Sequence, residues 1–173
     1  MANTTFDGPV RSKNGFINLG PGMTKSLTAD TTLSVQEHAG RILLLNDADG
    51  KFTLPSIVTT ADSAVAGPGS DPNNLNNIGA SFYFYVETLA TDLDIKTDGT
   101  DKFTGAIMIA VDDGAKKAFV PAATNDVITM DGTVKGGIVG SVVQITAIDT
   151  ANYLVHNSLL IGSGTIETPF ADA

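Results

Sequence analysis

The sequence predicts an all-β protein: a β-sandwich or β-barrel, jelly-roll-like, with an extended N-terminal arm. Three observations predict it. Apolar residues alternate with polar ones in short runs through the second half of the chain. Asp-Gly pairs at 98–99, 113–114 and 131–132 punctuate those runs, and Asp-Gly is a strong hairpin signal. The nineteen acidic residues comprise sixteen Asp and only three Glu. Asp favours turns and caps where Glu favours helices, so the acidity reads as turn chemistry.

Residues 1–25 read as an arm. They are rich in Gly, Asn and Pro and lack a period, and Phe6, Val10, Phe16 and Leu19 stand as spaced apolar anchors. The competing reading is a frayed terminus. Residues 26–173 read as a single β domain. In it Arg41-Ile42-Leu43-Leu44-Leu45 and Lys51-Phe52-Thr53-Leu54, joined by Asn46-Asp47-Ala48-Asp49-Gly50, predict a hairpin that ends at Pro55. Residues 56–80 are breaker-rich, with a short helix conceivable over 56–66. They form a long loop or, less economically, a linker between domains.

Strands follow. Residues 81–87 place Phe82, Phe84 and Val86 on one face and Tyr83 and Tyr85 on the other. Leu93, Ile95 and Thr97 alternate, and 103–111 form one long run. Residues 118–120 and 126–130 are short strands. In 138–148, Val143 and Ile145 oppose Val142, Gln144 and Thr146; Tyr153, Val155 and 159–161 come next. The tail beyond Gly162 is loose, with Phe170 able to tuck onto a neighbour.

Composition excludes several function classes. The 173 residues have a formal net charge of −9, which repels nucleic acid and anionic membranes. No apolar run approaches the ~18 residues of a membrane helix. The start, Met1-Ala2-Asn3-Thr4-Thr5-Phe6, has no basic or apolar signal core, so no export signal is expected. Cysteine is absent, which removes disulfides, thiolate metal sites and thiol nucleophiles.

Enzymatic chemistry finds little footing. No G-x-S-x-G elbow, Walker A sequence or complete G-x-G-x-x-G occurs, although G-x-G stands at 20–22, 67–69 and 162–164. His38 and His156 belong to no metal-ligand spacing. His156 reads as a strand histidine that caps a hydrogen bond, His38 as exposed turn sequence. Asp47-Ala48-Asp49-Gly50 looks like a fragment of a calcium loop, but Leu45 and Ser56 stand where ligands are needed. Asp92/Asp94 and Asp98/Asp101 read as turn carboxylates bonded to their own backbone. The expectation is a protein without catalysis, cofactor or metal.

The opening Thr4-Thr5-Phe6-Asp7-Gly8-Pro9-Val10-Arg11-Ser12, with Asn14-Gly15-Phe16, resembles the start of small virion proteins of marine tailed phages, often cyanophages, in which T-T-F-x-G-P-V-[RK]-S followed by G-F recurs. A second pattern is similar to phage head decoration (cement) proteins. It runs through Leu27-Thr28-Ala29-Asp30, Gly40, Leu43 to Asn46 and Phe52-Thr53-Leu54-Pro55. It continues at Gly79, Phe82 to Val86, Ile95, Asp101-Lys102-Phe103-Thr104-Gly105 and Asn125-Asp126-Val127-Ile128, and closes on Gly136-Gly137 and Tyr153-Leu154-Val155. The chain departs from some relatives in a longer, Asn-rich 67–79 segment.

The resemblance implies a structural virion protein on the capsid exterior, made in the host cytoplasm, commonly a homotrimer bridging major capsid protein subunits. Within it Phe6, Val10, Arg11 and Phe16 become the expected capsid contacts; neither nucleic acid nor membrane is an expected partner. Two alternatives remain. A host-recognition knob binding cell-surface glycan predicts exposed aromatics and Asp clustered at one end of a trimer. A hydrolase predicts two convergent carboxylates in a cleft.

Overall fold

The structure, a computed structural model, describes residues 21–59, 77–112 and 114–173. The expected capsid contacts Phe6, Val10, Arg11 and Phe16, Asp113 and most of the 67–79 segment lie outside the described residues. The chain is all-β, as the alternation predicts, and two mixed sheets enclose one core.

The path of the chain explains the sheets. After a short 3-10 turn (Pro21–Met23), β1 (Thr24–Leu27) lies in the larger sheet and β2 (Thr31–Thr32) in the smaller. A one-turn helix α1 (Val35–His38) leads back to β3 (Ile42–Leu45) in the larger sheet. Next come β4 (Lys51–Thr53) in the smaller, β5 (Ser81–Val86) in the larger and β6 (Leu93–Lys96) in the smaller. The first six strands therefore wind as three coils, each giving one strand to each sheet. Successive coils stack in parallel: β1 on β3 on β5, and β2 on β4 on β6.

The remaining strands close the two sheets, mostly antiparallel. They are β7 (Lys102–Gly105), β8 (Ile107–Val111), β9 (Lys116–Phe119), β10 (Val127–Met130), β11 (Val142–Ala147), β12 (Asn152–Gly162) and β13 (Phe170–Ala171). The larger sheet runs β1-β3-β5-β11-β12-β8-β9, with β7 also on β12; the smaller runs β13-β10-β6-β4-β2.

Alternation decides which row is buried. On the larger sheet Leu43 and Leu45 register with Phe84 and Val86, then Phe84 with Val143 and Phe82 with Ile145. Phe52, Leu93, Ile95, Ile128 and Met130 answer from the smaller sheet, and all join a single cluster. Full burial of each such side chain contributes roughly 1.5–3 kcal/mol. Phe170 tucks onto the core from the two-residue β13, as its place in the tail allowed.

Four expectations change. Residues 41–54 do not form a hairpin. β3 and β4 lie in different sheets, and residues 46–50 form a corner whose backbone bonds to other coils: Thr91 and Asp94 donate to Ala48 and Gly50. Two strands that bury alternate residues look the same in sequence whether they pair or face each other across a core. For the same reason Asp98-Gly99 and Asp131-Gly132 turn the chain between sheets rather than within a hairpin. Of the three Asp-Gly pairs, 113–114 alone lies between strands, β8 and β9, that pair antiparallel as a hairpin.

The third change concerns 103–111, which splits into β7 and β8. Both run parallel to β12, β7 along Asn152 to Val155 and β8 along Leu159 to Gly162. A bulge in β12 separates the two stretches, with Asn157 at φ 47°. Gly105 makes the break opposite it, at φ 99°, where a Cβ would fall 2.1 Å from the Val155 carbonyl oxygen. Last, the strand-rich region begins at Thr24, inside the segment read as arm, because Leu27 registers beside Leu45 and is buried.

Gly105→Ala therefore combines positive-φ strain with a backbone clash and should destabilise by roughly 2–4 kcal/mol. Gly99 has φ 92° but open space around its Cα, so Gly99→Ala should cost only the strain, about 1 kcal/mol. Denaturant midpoints of the two variants check this; equal losses would mean the Gly105 contact is relieved by movement of β12.

Candidate functional site

Of the four carboxylates expected to bond their own backbone in turns, Asp98 does so, whereas Asp92 and the β6 residue Asp94 pair with Lys51 and Asp101 takes a distant amide. Asp98 accepts from the Thr100 amide at 2.9 Å and the Asp101 amide at 3.2 Å, and from the Ser56 hydroxyl. Burial raises its pKa, but these bonds outweigh burial and hold the carboxyl below its usual range. Asp131 accepts from the Thr133 and Lys135 amides, Asp149 from the Ala151 amide. Asp101 is buried and accepts from the Ile57 amide at 2.9 Å. Burial pushes its pKa up, and the nearby Asp98 and Asp149 charges add to the shift. Among the described residues, no three His, Cys, Asp or Glu side chains gather where a metal ion could sit.

The histidines separate. His156 caps hydrogen bonds on a strand, as expected: its Nε2 lies 2.9 Å from Thr146 Oγ1 and its Nδ1 3.2 Å from the Asn157 amide nitrogen. His38 is not exposed turn sequence. It ends α1 and is 4% exposed. The Ser34 hydroxyl caps this helix at the Glu37 amide, and the Ser34 amide donates to His38 Nδ1 at 3.0 Å. That turn rolls the ring inward, and Nε2 is left buried without a partner. The sequence signal was Ser34 three residues before Glu37, the spacing of a capping box that opens the turn ending at His38.

An apolar surface lies on the outer face of the larger sheet. β3, β5, β8, β11 and β12 contain not one Asp, Glu, Lys or Arg. Their outward rows carry Ile42, Tyr83, Val142, Leu159 and Met108, exposed by 45, 39, 37, 41 and 46%. Register sets these side by side: Ile42 beside Tyr83, Tyr85 beside Val142, Val142 beside Leu159, Leu159 beside Met108. A shallow apolar groove of about 230 Å³ lies between Ile42, Tyr83, Tyr85 and Val142, with Gln144 and Asn157 at one side.

The polar groups on this face bond to one another. Ser81 Oγ meets Thr146 Oγ1 at 2.7 Å, Thr146 meets His156, His156 meets Asn157, and Asn157 donates to Gln144 at 3.0 Å. An amide nitrogen only donates, so His156 Nδ1 accepts and Nε2 carries the proton. The smaller sheet's outer face is the opposite in character. Lys51 pairs there with Asp92 at 2.9 Å and Asp94 at 3.0 Å, next to Lys96 and Thr129. Tyr83 and Tyr85 sit in mid-sheet rather than among Asp-bearing turns.

No protein-family model matches the chain, and comparison with curated proteins and with solved structures finds no match. The sheet face is therefore read from its own chemistry.

His38 generates a pH dependence. Burial pushes its pKa below 6.5, and the Lys25 charge on β1 adds to this. The Ser34 carbonyl and Glu37 oppose the shift, and Arg41 ahead of β3 reinforces it. A depressed histidine pKa means that the unfolded chain takes up the proton first. His38 should thus lower stability progressively as pH falls below about 6.5, the unperturbed histidine value. Chemical denaturation between pH 7.5 and 5.5 should show a smaller loss for His38→Gln than for the wild type; parallel curves would exclude His38 as the source.

Proposed function

We propose that this protein is a non-catalytic structural subunit that decorates and stabilises the exterior of an icosahedral phage capsid, as a homotrimer bridging major capsid protein subunits. The observation that carries the reading is the apolar middle of the larger sheet's outer face, five adjacent strands without a charged residue on a chain of net charge −9. A protein that only needs to stay dissolved gains nothing from Ile42, Tyr83, Val142, Leu159 and Met108 in one exposed row; such patches mark association surfaces. The T-T-F-x-G-P-V-R-S opening, with its resemblance to phage virion proteins, supplies the capsid as the setting.

Attachment is assigned to the N-terminal segment. Phe6, Val10 and Phe16 are spaced apolar residues between Gly-Pro breaks, and Arg11 offers a bidentate donor to a carboxylate. The chain enters the fold from this segment through β1, the edge strand of the larger sheet. A segment that orders on a capsid groove gains affinity from several weak contacts, and three copies multiply the effect. Each buried Phe contributes roughly 1.5–3 kcal/mol before ordering costs.

Capsids stripped of decoration test this by co-sedimentation. The wild type should pellet with them. The double variant Phe6→Ser, Phe16→Ser and a chain lacking residues 2–20 should stay in the supernatant while keeping the wild-type circular dichroism. Wild-type occupancy by the truncated chain would refute the arm as anchor, and failure of the wild type to pellet would refute the decoration reading itself.

A further inference from the structure

We infer that His38 is a proton-operated latch: its neutral ring holds the first coil, β1 through α1, against the larger sheet, and its protonation lets that coil open while the other strands stay folded. The latch does not depend on what the protein attaches to.

The ring is poised for it. Among the described residues, His38 Nε2 is the one buried side-chain nitrogen or oxygen without a hydrogen-bond partner. Buried polar groups are nearly always paired, so an orphan calls for a physical reason. The Ser34 amide donates to Nδ1 at 3.0 Å, which makes Nδ1 the acceptor and leaves the ring's proton on Nε2. A second proton must therefore go onto Nδ1. It turns that acceptor into a donor and breaks the bond that ties the ring to the start of its own helical turn. The Ser34 carbonyl, 3.2 Å from Nδ1, can take the new N–H. The Ser34 amide then loses its partner, and Nε2 still has none, now on a cation.

Charge carries this loss from the ring to β1. Lys25 faces the ring from β1, Arg41 from the approach to β3, and Glu37 from α1 itself. Glu37 is already bound to Lys25 at 2.6 Å, and that pair bridges α1 to β1. A protonated His38 thus meets two cations and one carboxylate that is already engaged. Burial makes the new charge costly, and repulsion from Lys25 acts directly on the edge strand.

Little else holds the coil. β1 is the edge of the larger sheet and β2 the edge of the smaller. Between residues 24 and 39 the buried side chains other than His38 are Leu27 and Leu33, with Val35 and Ala39 partly buried. β3 keeps its pairing with β5 when β1 leaves, so the opening is smaller than unfolding. It bares Ile42–Leu45 as a new sheet edge, the kind to which another strand adds. Acid would in this way turn a guarded edge into an open one.

Native-state hydrogen exchange on the full chain tests the latch. The Asn46 amide donates to the Leu27 carbonyl at 2.9 Å and the Leu33 amide to the Thr53 carbonyl at 2.7 Å, so both report the coil. The Val86 and Ala147 amides, bonded to the Ser141 and Ala80 carbonyls, report the core. At pH 5.5 Asn46 and Leu33 should exchange through an opening that low denaturant hardly changes, with less protection than Val86 and Ala147, whose protection should fall steeply with denaturant. Between pH 7.5 and 5.5 the protection of Asn46 and Leu33, corrected for the intrinsic rate, should fall severalfold. The ceiling is about tenfold, set by a histidine of ordinary pKa in the open coil. His38→Gln should abolish that fall.

Coil amides that share the protection and denaturant slope of the core at pH 5.5 overturn the inference, because the coil then opens only with the whole molecule. A fall that persists in His38→Gln overturns it as well. Should that variant not fold, the wild-type ring decides: its titration followed by NMR should lie below 6.5, the ordinary histidine value, and a titration at or above it removes the latch.

Discussion

Parallel neighbours cannot be joined by a tight turn, and β3 lies parallel to both of its neighbours, β1 and β5. The rest of the architecture follows from that constraint. The chain must leave the larger sheet after each strand, and it uses each departure to lay down a strand of the smaller sheet. The stacking of β2, β4 and β6 is thus the return path of the coil that stacks β1, β3 and β5. Both layers receive strands in step, and one core forms between them rather than two.

A coil has corners, and corners have backbone groups that no ladder satisfies. Residues 55–58 show the solution. The Tyr153 hydroxyl donates to the Pro55 carbonyl, the Asn77 amide group to the Ser56 carbonyl at 2.8 Å, and the Asn77 side-chain oxygen accepts from the Val58 amide at 2.8 Å. The Asp101 carboxylate takes the Ile57 amide. Tyr153, Asn77 and Asp101 are all buried, so each bond is made away from water, where leaving it unmade would cost roughly 1–3 kcal/mol. Burial also pushes the Tyr153 phenol far above its usual range, so it remains a donor. Several of the Asp residues that give the chain its acidity work in the same way, at corners.

How much of this was legible in the sequence depends on range. Period-two alternation separates the two rows of β5, and the structure buries Phe82, Phe84 and Val86. It separates Val143 and Ile145 from the other row of β11 in the same way. What alternation does not carry is a strand's partner. Leu43–Leu45 and Phe52–Leu54 have the pattern of a hairpin because both face the same core, and only the parallel insertion of β3 shows that they face it from opposite sides. Asp-Gly likewise marks a reversal of direction without saying which sheet receives the next strand. His38 was misplaced because a four-residue helix leaves almost no periodic signal; the capping Ser34 was its one trace. The apolar outer face was half legible. Alternation sets Tyr83 and Tyr85 on the face opposite Phe82, Phe84 and Val86, but that Ile42, Val142, Leu159 and Met108 join them depends on the order of strands in the sheet.

That dependence links fold to function. β3 and β5 come from the coil, β11, β12 and β8 from the closing half, and each brings one or two outward apolar residues. Singly, such residues are ordinary on a protein surface. Side by side across five strands without an intervening charge, they become a patch whose burial is favourable. The smaller sheet is exposed in the same way yet carries paired charges, so two-sheet architecture alone does not dictate an apolar exterior. The difference resides in the strands chosen for each layer. Charges that keep the chain soluble are concentrated on corners, rims and the smaller sheet, which leaves the larger sheet free to meet an apolar surface without desolvating an ion.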